Sequence, residues 1–133
     1  ITTFGAISSH GLDLDACANA PQNVVYFNEL IGSQASMADT LFTDFLGRLD
    51  ASKSIKKDNF FPAVAIHSPY SVHPILIKKA LDIAKSEKLK LTAHFMESQA
   101  EKDWLQDSDG EFKISFDINI DSENTVQFGD SLL

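Results

Sequence analysis

Two histidines and a glutamate lie where two apolar segments of the sequence give way to polar loops. The segment FFPAVAIHSPYSVHP carries His67, and the segment LKLTAHFMESQAEKDW carries His94 and Glu97. An imidazole in such a place can ligate a metal ion or donate a hydrogen bond, and a glutamate three residues later can move a proton beside that metal. The ordinary alternatives are a histidine paired with a backbone carbonyl and a glutamate that stabilises the next helix N-terminus. The spacing therefore indicates a candidate site and leaves its chemistry open.

Strand alternation predicts which way these side chains point. His94 shares a strand face with Thr92, and His67 shares a face with Ala63 and Ala65, because successive side chains of a strand point to opposite sides. The apolar residues between them should pack against helices, which sends both histidines to the opposite, inner face. In α/β proteins, ligands bind at the carboxyl ends of parallel strands. We therefore expect the two histidines to converge at that edge.

Other polar residues are weaker candidates for the same edge. His10 follows the first apolar run, and Asn28 and Glu29 lie near the end of the second, so each could contact a substrate. Glu101 is better explained by the S-x-x-E capping box of a helix. His73, just before a helix start, is expected to be solvated. The sequence contains no glycine loop for phosphate, no C-x-x-C and no H-x-H motif.

The elements that would hold these residues alternate as β-α units along the chain. Apolar runs predict strands at 1–7, 24–31, 60–66 and 89–94, and helical spacing predicts helices at 11–20, 36–52, 74–87 and from 98 onward. Near-continuous apolar strands separated by helices are typical of a parallel sheet covered by helices. The predicted fold class is α/β, with about four βα units that form half of a (β/α)8 barrel or a small open sheet.

We predict a partial barrel domain over residues 1–110 and a tail over residues 111–133 whose role is open. In the tail, apolar and polar residues alternate over 112–120, which is typical of an amphipathic strand that could pair with a sheet edge. A half-barrel exposes two strand edges and its inner face, so we expect the chain to self-associate. The first residue is Ile1 and not methionine, which suggests a piece of a longer chain.

Composition limits the partners and the compartment. The 133 residues carry a formal net charge of −8 and no long basic run, which argues against nucleic acid and anionic membranes as partners. No apolar run approaches the roughly 20 residues that a membrane span requires, and no signal peptide is visible. The lone Cys17 cannot form an intrachain disulfide, so we expect a reducing, cytoplasmic compartment.

The strings AIHSPYSVHP and TAHFMESQAEKDWL together resemble the amidohydrolase superfamily, in its deaminase and chlorohydrolase branch. That branch carries H-[AS]-P-Y-[ST] after one strand and H-x-x-E-[ST]-x-x-E after the next. The likeness covers about residues 1–104, since ITTFGAIS also resembles the second barrel strand of the family. The resemblance implies a (β/α)8 TIM barrel in the complete enzyme, with this chain supplying strands two to five.

The resemblance also implies a role for each residue at the edge. His94 would be a metal ligand, to zinc or iron, and Glu97 would carry a proton between the activated water and a purine-type ring. His67 would hydrogen-bond the substrate, with Ser68 and Tyr70 shaping the loop around it. The implied reaction is the hydrolytic release of ammonia from an adenine-type nucleoside, a small-molecule substrate.

The chain departs from the family in what it lacks. The two-histidine motif of the first strand, the sixth-strand histidine and the eighth-strand aspartate are absent. Because zinc normally needs three or four protein ligands, we expect this chain alone to bind zinc or iron weakly or not at all and to be inactive. The alternatives are an S-adenosylhomocysteine, adenosine or guanine deaminase, a chlorohydrolase-like enzyme, or a non-catalytic half-barrel that serves as an interaction module.

Overall fold

The computed structural model describes residues 1–107 and 110–111 of the chain. The strands are β1 Thr3–Ser8, β2 Asn23–Leu30, β3 Phe60–Ile66 and β4 Lys90–Ala93. The helices are α1 Leu14–Ala18, α2 Ala38–Ser54, α3 Pro74–Ser86 and α4 Gln99–Asp107, with a short 3-10 turn at Ala35–Met37 before α2.

The four strands form one sheet in the order β1-β2-β3-β4, and each neighbouring pair is parallel. A helix follows every strand, so the predicted α/β class with four βα units is confirmed. The strand predicted over residues 112–120 lies outside the described residues. Within the described part, β1 and β4 each have a single neighbouring strand and thus form the two edges of the sheet.

The main core lies between the sheet and helices α2 and α3. Val64 and Ile66 of β3 point into it, as strand alternation predicted. Its buried members are Leu30, Phe45, Leu49, Val64, Ile66, Val72, Leu76, Ala80 and Ala84. A second cluster, made by Val24, Tyr26 and Phe60 with Ala18, fills the space beneath α1.

Helix α2 contributes two large buried side chains to the main core. It has 17 residues, and the side chains of Phe45 and Leu49, one turn apart, are buried against the sheet. The ring of Phe42 stacks on that of Phe45 with 6.0 Å between centroids. Among the described residues, no helix is both long and apolar enough to cross a membrane.

Two helix starts differ from the sequence predictions, and a third shows a cap that was not predicted. Helix α1 begins at Leu14 and not at Gly11, because Gly11 has a φ of +74° and belongs to the preceding turn. Helix α2 begins at Ala38 and not at residue 36, because Ser36 lies inside the preceding 3-10 turn. His73, expected to be solvated, is partly exposed and also caps α3: its Nδ1 accepts a hydrogen bond from the Ile75 N–H at 3.3 Å.

Candidate functional site

Strand register places the predicted site residues on one face and at one edge. Glu29 of β2 is level with Ala65 of β3, which is level with Thr92 of β4. His67 and His94 follow Ala65 and Thr92 by two residues and therefore share their inner face. The backbone pairing continues to this level, where the His94 N–H donates to the His67 carbonyl at 2.9 Å. The two imidazole centroids are 5.6 Å apart, so the expected convergence of the histidines is present.

Two serine hydroxyl groups form a hydrogen-bonded chain that ends at Nδ1 of the His67 ring. Nδ1 of His67 lies 2.6 Å from the Ser71 hydroxyl, which lies 2.7 Å from the hydroxyl of the fully buried Ser68. When Ser68 donates to Ser71 and Ser71 donates to Nδ1, the imidazole proton is on Nε2, where it can be donated into the site. Ser68 is fully buried, and its hydroxyl also lies 3.2 Å from His67 Nδ1, so it can act on a ligand only through His67. The Tyr70 ring packs edge-on to His67, with 6.4 Å between centroids.

Gly32, in the loop after β2, holds the His67 loop in place. Its N–H donates to the Ser71 carbonyl at 2.9 Å, and its carbonyl accepts from the His73 N–H at 2.9 Å, which makes a bridge with Val72. Gly32 has a φ of +133°, and a Cβ there would lie 2.3 Å from Leu41 Cδ1. Only glycine adopts this backbone readily, so the placement of Ser71 depends on a glycine more than thirty residues earlier in the chain.

We expect Ser71→Ala to change the tautomer balance of His67. Loss of one hydrogen bond is worth roughly 1 kcal/mol, so the ratio of the two neutral tautomers should shift by about fivefold. Nitrogen-15 chemical shifts of the His67 ring measure that ratio. Ser86→Ala removes a serine hydroxyl that bonds a carbonyl within α3 and should leave the His67 shifts unchanged. Unchanged shifts in Ser71→Ala would contradict the role of the hydroxyl chain.

Glu97 lies beside His94 in the loop after β4. Its Oε1 is 3.5 Å from His94 Nδ1, which is a close polar contact and longer than an ordinary hydrogen bond. The Glu97 side chain is 57% exposed and that of His94 38% exposed, so both are accessible to a ligand. Glu101, by contrast, is buried in the first turn of α4. Its carboxylate accepts a hydrogen bond from the Glu97 N–H at 2.7 Å.

Glu29 is a buried acid whose surroundings are polar. Its carboxylate accepts a hydrogen bond from the Ser9 hydroxyl, which follows β1. Arg48 of α2 donates to the Glu29 carbonyl at 2.9 Å and to the Ser8 carbonyl at 3.3 Å, and so ties together the carboxyl ends of β1 and β2. The sequence gives no signal for Ser9 or Arg48, because neither lies in a motif and both contacts join distant segments.

Asp13 anchors the loop that carries Ser9. It accepts hydrogen bonds from the Ser8 hydroxyl at 2.5 Å and the Tyr26 hydroxyl at 2.8 Å. Burial alone would raise the pKa of Asp13, but these hydrogen bonds outweigh burial and hold its pKa below the usual value of 3.8. Burial, reinforced by the Asp13 charge, raises the pKa of Tyr26 to about 12. The pair is therefore an ionised carboxylate and a neutral phenol at neutral pH.

Two weaker candidates, Asn28 and His10, are not part of the cluster on the inner face. Asn28 is fully buried and faces α2, where its Nδ2 donates to Ser52 Oγ at 2.9 Å and to the Ala63 carbonyl at 3.2 Å. The expectation that Asn28 could contact a substrate is wrong, because β2 continues through it and alternation turns it away from Glu29. His10 is an exposed residue of the β1–α1 loop.

The donor set at this edge falls short of what a metal ion needs. In residues 1–107 and 110–111, no group of three or more histidine, cysteine, aspartate or glutamate side chains is arranged to hold a metal ion. His94 can supply one imidazole donor, whereas zinc sites use three or four protein ligands. The described residues therefore do not make a complete metal site by themselves.

Comparison with known sequences shows the family. The amidohydrolase family matches residues 1–120. Aminodeoxyfutalosine deaminase of a Nitratiruptor species is 55% identical over 115 residues, which are 86% of this chain and 28% of that protein. Adenosine deaminase of Helicobacter pylori is 30% identical over 113 residues, which are 85% of this chain and 27% of that protein.

Solved structures show the same architecture. Helicobacter pylori aminofutalosine deaminase superposes with a TM-score of 0.86 at 27% identity, over 97% of this chain and 32% of that chain. The same enzyme in complex with methylthio-coformycin gives a TM-score of 0.85 at 28% identity, over 96% of this chain and 31% of that chain. The predicted partial TIM barrel is thereby confirmed, and the chain spans about a third or less of the proteins it matches. The match over residues 1–120 makes this chain a member of the amidohydrolase family.

Proposed function

We propose that these residues are part of a metal-dependent aminohydrolase that deaminates an adenine-type nucleoside, with aminofutalosine as the substrate. One observation carries the proposal: His67, His94 and Glu97 converge at the carboxyl edge of the sheet, in a chain that is 55% identical to an aminodeoxyfutalosine deaminase. Because the chain spans 28% of that relative, the activity belongs to a longer protein and not to these residues alone.

His94 would be one ligand of the catalytic metal, zinc or iron, with the other ligands supplied from outside this chain. When bound, such a metal acts as a Lewis acid that activates the attacking water. The family is typically metal-dependent, and the single imidazole donor at the strand edge is consistent with a shared site. The backbone of His94 is held by the hydrogen bond from its N–H to the His67 carbonyl.

Glu97 would take a proton from the attacking water on a carboxylate oxygen and deliver it to the ring nitrogen beside the attacked carbon. The remaining hydroxyl proton would pass to the amino group, so that the C–N bond breaks, ammonia leaves and a ring carbonyl forms. General acid–base catalysis needs such a group within hydrogen-bond reach of the reacting atoms. The exposed carboxylate of Glu97 beside His94 supports that role. His67 Nε2 would donate a hydrogen bond to the purine ring, with Tyr70 packed beside it. Glu29, held by Ser9, would bind a polar group of the substrate.

Adenosine is the second candidate substrate, because the chain is 30% identical to an adenosine deaminase. The higher identity to the aminodeoxyfutalosine enzyme favours aminofutalosine. A role in menaquinone biosynthesis and a cytoplasmic location are part of the same proposal. They rest on likeness to that relative and on the absence of a cysteine pair in the sequence.

The proposal is tested by assaying the purified longer protein, loaded with zinc or iron, against a panel of 6-aminopurine nucleosides. Ammonia release should be fastest with aminofutalosine, slower with adenosine and S-adenosylhomocysteine, and undetectable with the chain 1–133 alone. A higher kcat/KM for adenosine than for aminofutalosine would make adenosine the assigned substrate. No release from any member of the panel would leave the non-catalytic interaction module as the better account.

We also propose that the isolated chain self-associates. On the inner face, Ile7 and Phe61 are each 43% exposed, and β1 and β4 present unpaired edges within the described residues. Analytical ultracentrifugation of the chain should show a mass above the monomer that falls when Phe61→Ser and Ile7→Ser are combined. Leu12→Ser changes an exposed residue of the β1–α1 loop and should leave the mass unchanged. A monomer at all concentrations would contradict this expectation.

A further inference from the structure

The carboxylate of Glu101 is the most deeply buried acid of the described residues. The residue is 1% exposed, and burying a carboxylate is costly unless hydrogen bonds compensate. Its Oε2 accepts from the Glu97 N–H at 2.7 Å, while Oε1 has no hydrogen-bond partner among the residues described. Burying this carboxyl group for a single hydrogen bond is costly, so the partner in that bond is informative.

The bond differs from the usual capping box. In that arrangement the glutamate accepts from the N–H of the capping residue itself, which here is Ser98. Ser98 makes its half of the box, since its hydroxyl accepts from the Glu101 N–H at 3.1 Å. The Glu101 carboxylate instead binds the residue before the cap, Glu97.

The turn that precedes Glu97 is itself conformationally costly. Met96 has a φ of +58°, and a non-glycine residue in this region costs about 1–2 kcal/mol. Such a conformation persists only where neighbouring contacts impose it. The bond between Glu97 N–H and Glu101 fixes the chain immediately after Met96, and so determines where the Glu97 side chain leaves the backbone.

We propose that Glu101 is a positioning residue that holds Glu97 with its carboxylate directed to His94. The inference deepens the proposed deaminase function and rests on it for its catalytic consequence. His94 is held separately, by the bond from its own N–H to the His67 carbonyl. Loss of Glu101 should therefore displace the Glu97 carboxylate and leave the metal-binding imidazole in place.

The test compares three variants of the longer, metal-loaded protein. Glu101→Leu removes the acceptor at similar volume and should lower kcat for ammonia release by roughly 10- to 100-fold, because a misplaced catalytic group costs up to about 10²-fold. KM and metal content should stay near wild type. Glu101→Gln retains an oxygen that accepts from Glu97 N–H and should restore most of kcat. Ser98→Ala weakens the same helix start without touching that bond and should keep kcat close to wild type.

Two outcomes would overturn the inference: a folded Glu101→Leu protein with wild-type kcat, or an equal loss of kcat in Ser98→Ala and Glu101→Leu. Amide hydrogen exchange at Glu97 in the wild-type protein gives a measurement that needs neither variant folding nor activity. Slow exchange supports the contact, and exchange as fast as in an open loop refutes it. A wild-type protein without deaminase activity would overturn the proposed function and the predicted effect of Glu101 on kcat. Slow amide exchange at Glu97 would still support the contact between Glu97 and Glu101.

Discussion

Replacing Glu97 with glutamine in the longer protein is expected to lower kcat for deamination by roughly 10²- to 10⁴-fold, the contribution of a general acid–base group. Glutamine has similar size and keeps the backbone hydrogen bond to Glu101, but it cannot take up the proton of the attacking water. KM should change little, because the proposed substrate contacts are His67 and Glu29. Steady-state ammonia release measures both constants.

The matched control is Glu87→Gln, in the loop between α3 and β4. Glu87 caps the end of α3 and forms an exposed ion pair with Lys53 at 2.7 Å, a type of pair worth about 0–1 kcal/mol. This variant should retain wild-type kcat. If Glu97→Gln also retained wild-type kcat, Glu97 would be excluded as the proton carrier, and its contact with His94 would have only a structural role.

Replacing Phe45 with alanine is expected to lower the free energy of unfolding by about 3–5 kcal/mol, the usual cost of removing a buried aromatic ring. Phe45 is 0% exposed and stacks on Phe42, so its removal opens a cavity between α2 and the sheet. Most small domains are stable by only about 5–15 kcal/mol, and a loss of this size would use up much of that margin. Urea unfolding followed by circular dichroism measures the difference.

Phe95→Ala provides the control for the same change of side chain at an exposed site. Phe95 is 65% exposed in the loop after β4, and exposed substitutions usually change stability by about 0.5 kcal/mol or less. An equal loss of stability in the two variants would mean that the packing of α2 on the sheet does not dominate the stability of this unit.

Strand alternation is sufficient to place the histidines. In a strand every second residue points to the same face. The sequence alone therefore assigns Ala65 and His67 to the inner face, and it does the same for Thr92 and His94. The same rule, applied to β2, turns Asn28 towards α2. In the sequence this is hidden, because Asn28 and Glu29 are two successive polar residues near the end of the predicted strand 24–31 and both look like candidates for the site.

The contacts that orient the site residues are not accessible from the sequence. Ser71 reaches His67 because Gly32, on a different βα unit, bonds to the loop that carries it. The S-x-x-E pattern predicts a helix start at Ser98, but the pattern does not specify that Glu101 binds Glu97. That choice depends on the left-handed turn at Met96, which no residue type there demands.

Deamination in water enriched in oxygen-18 tests the central claim most directly. The purified, metal-loaded longer protein is mixed with aminofutalosine, and ammonia and the isotopic composition of the purine product are measured together. Hydrolytic deamination at the site of His67, His94 and Glu97 should release one ammonia and insert one labelled oxygen at the ring carbon that carried the amine. Recovery of unchanged aminofutalosine, or a product without the label, would contradict the account.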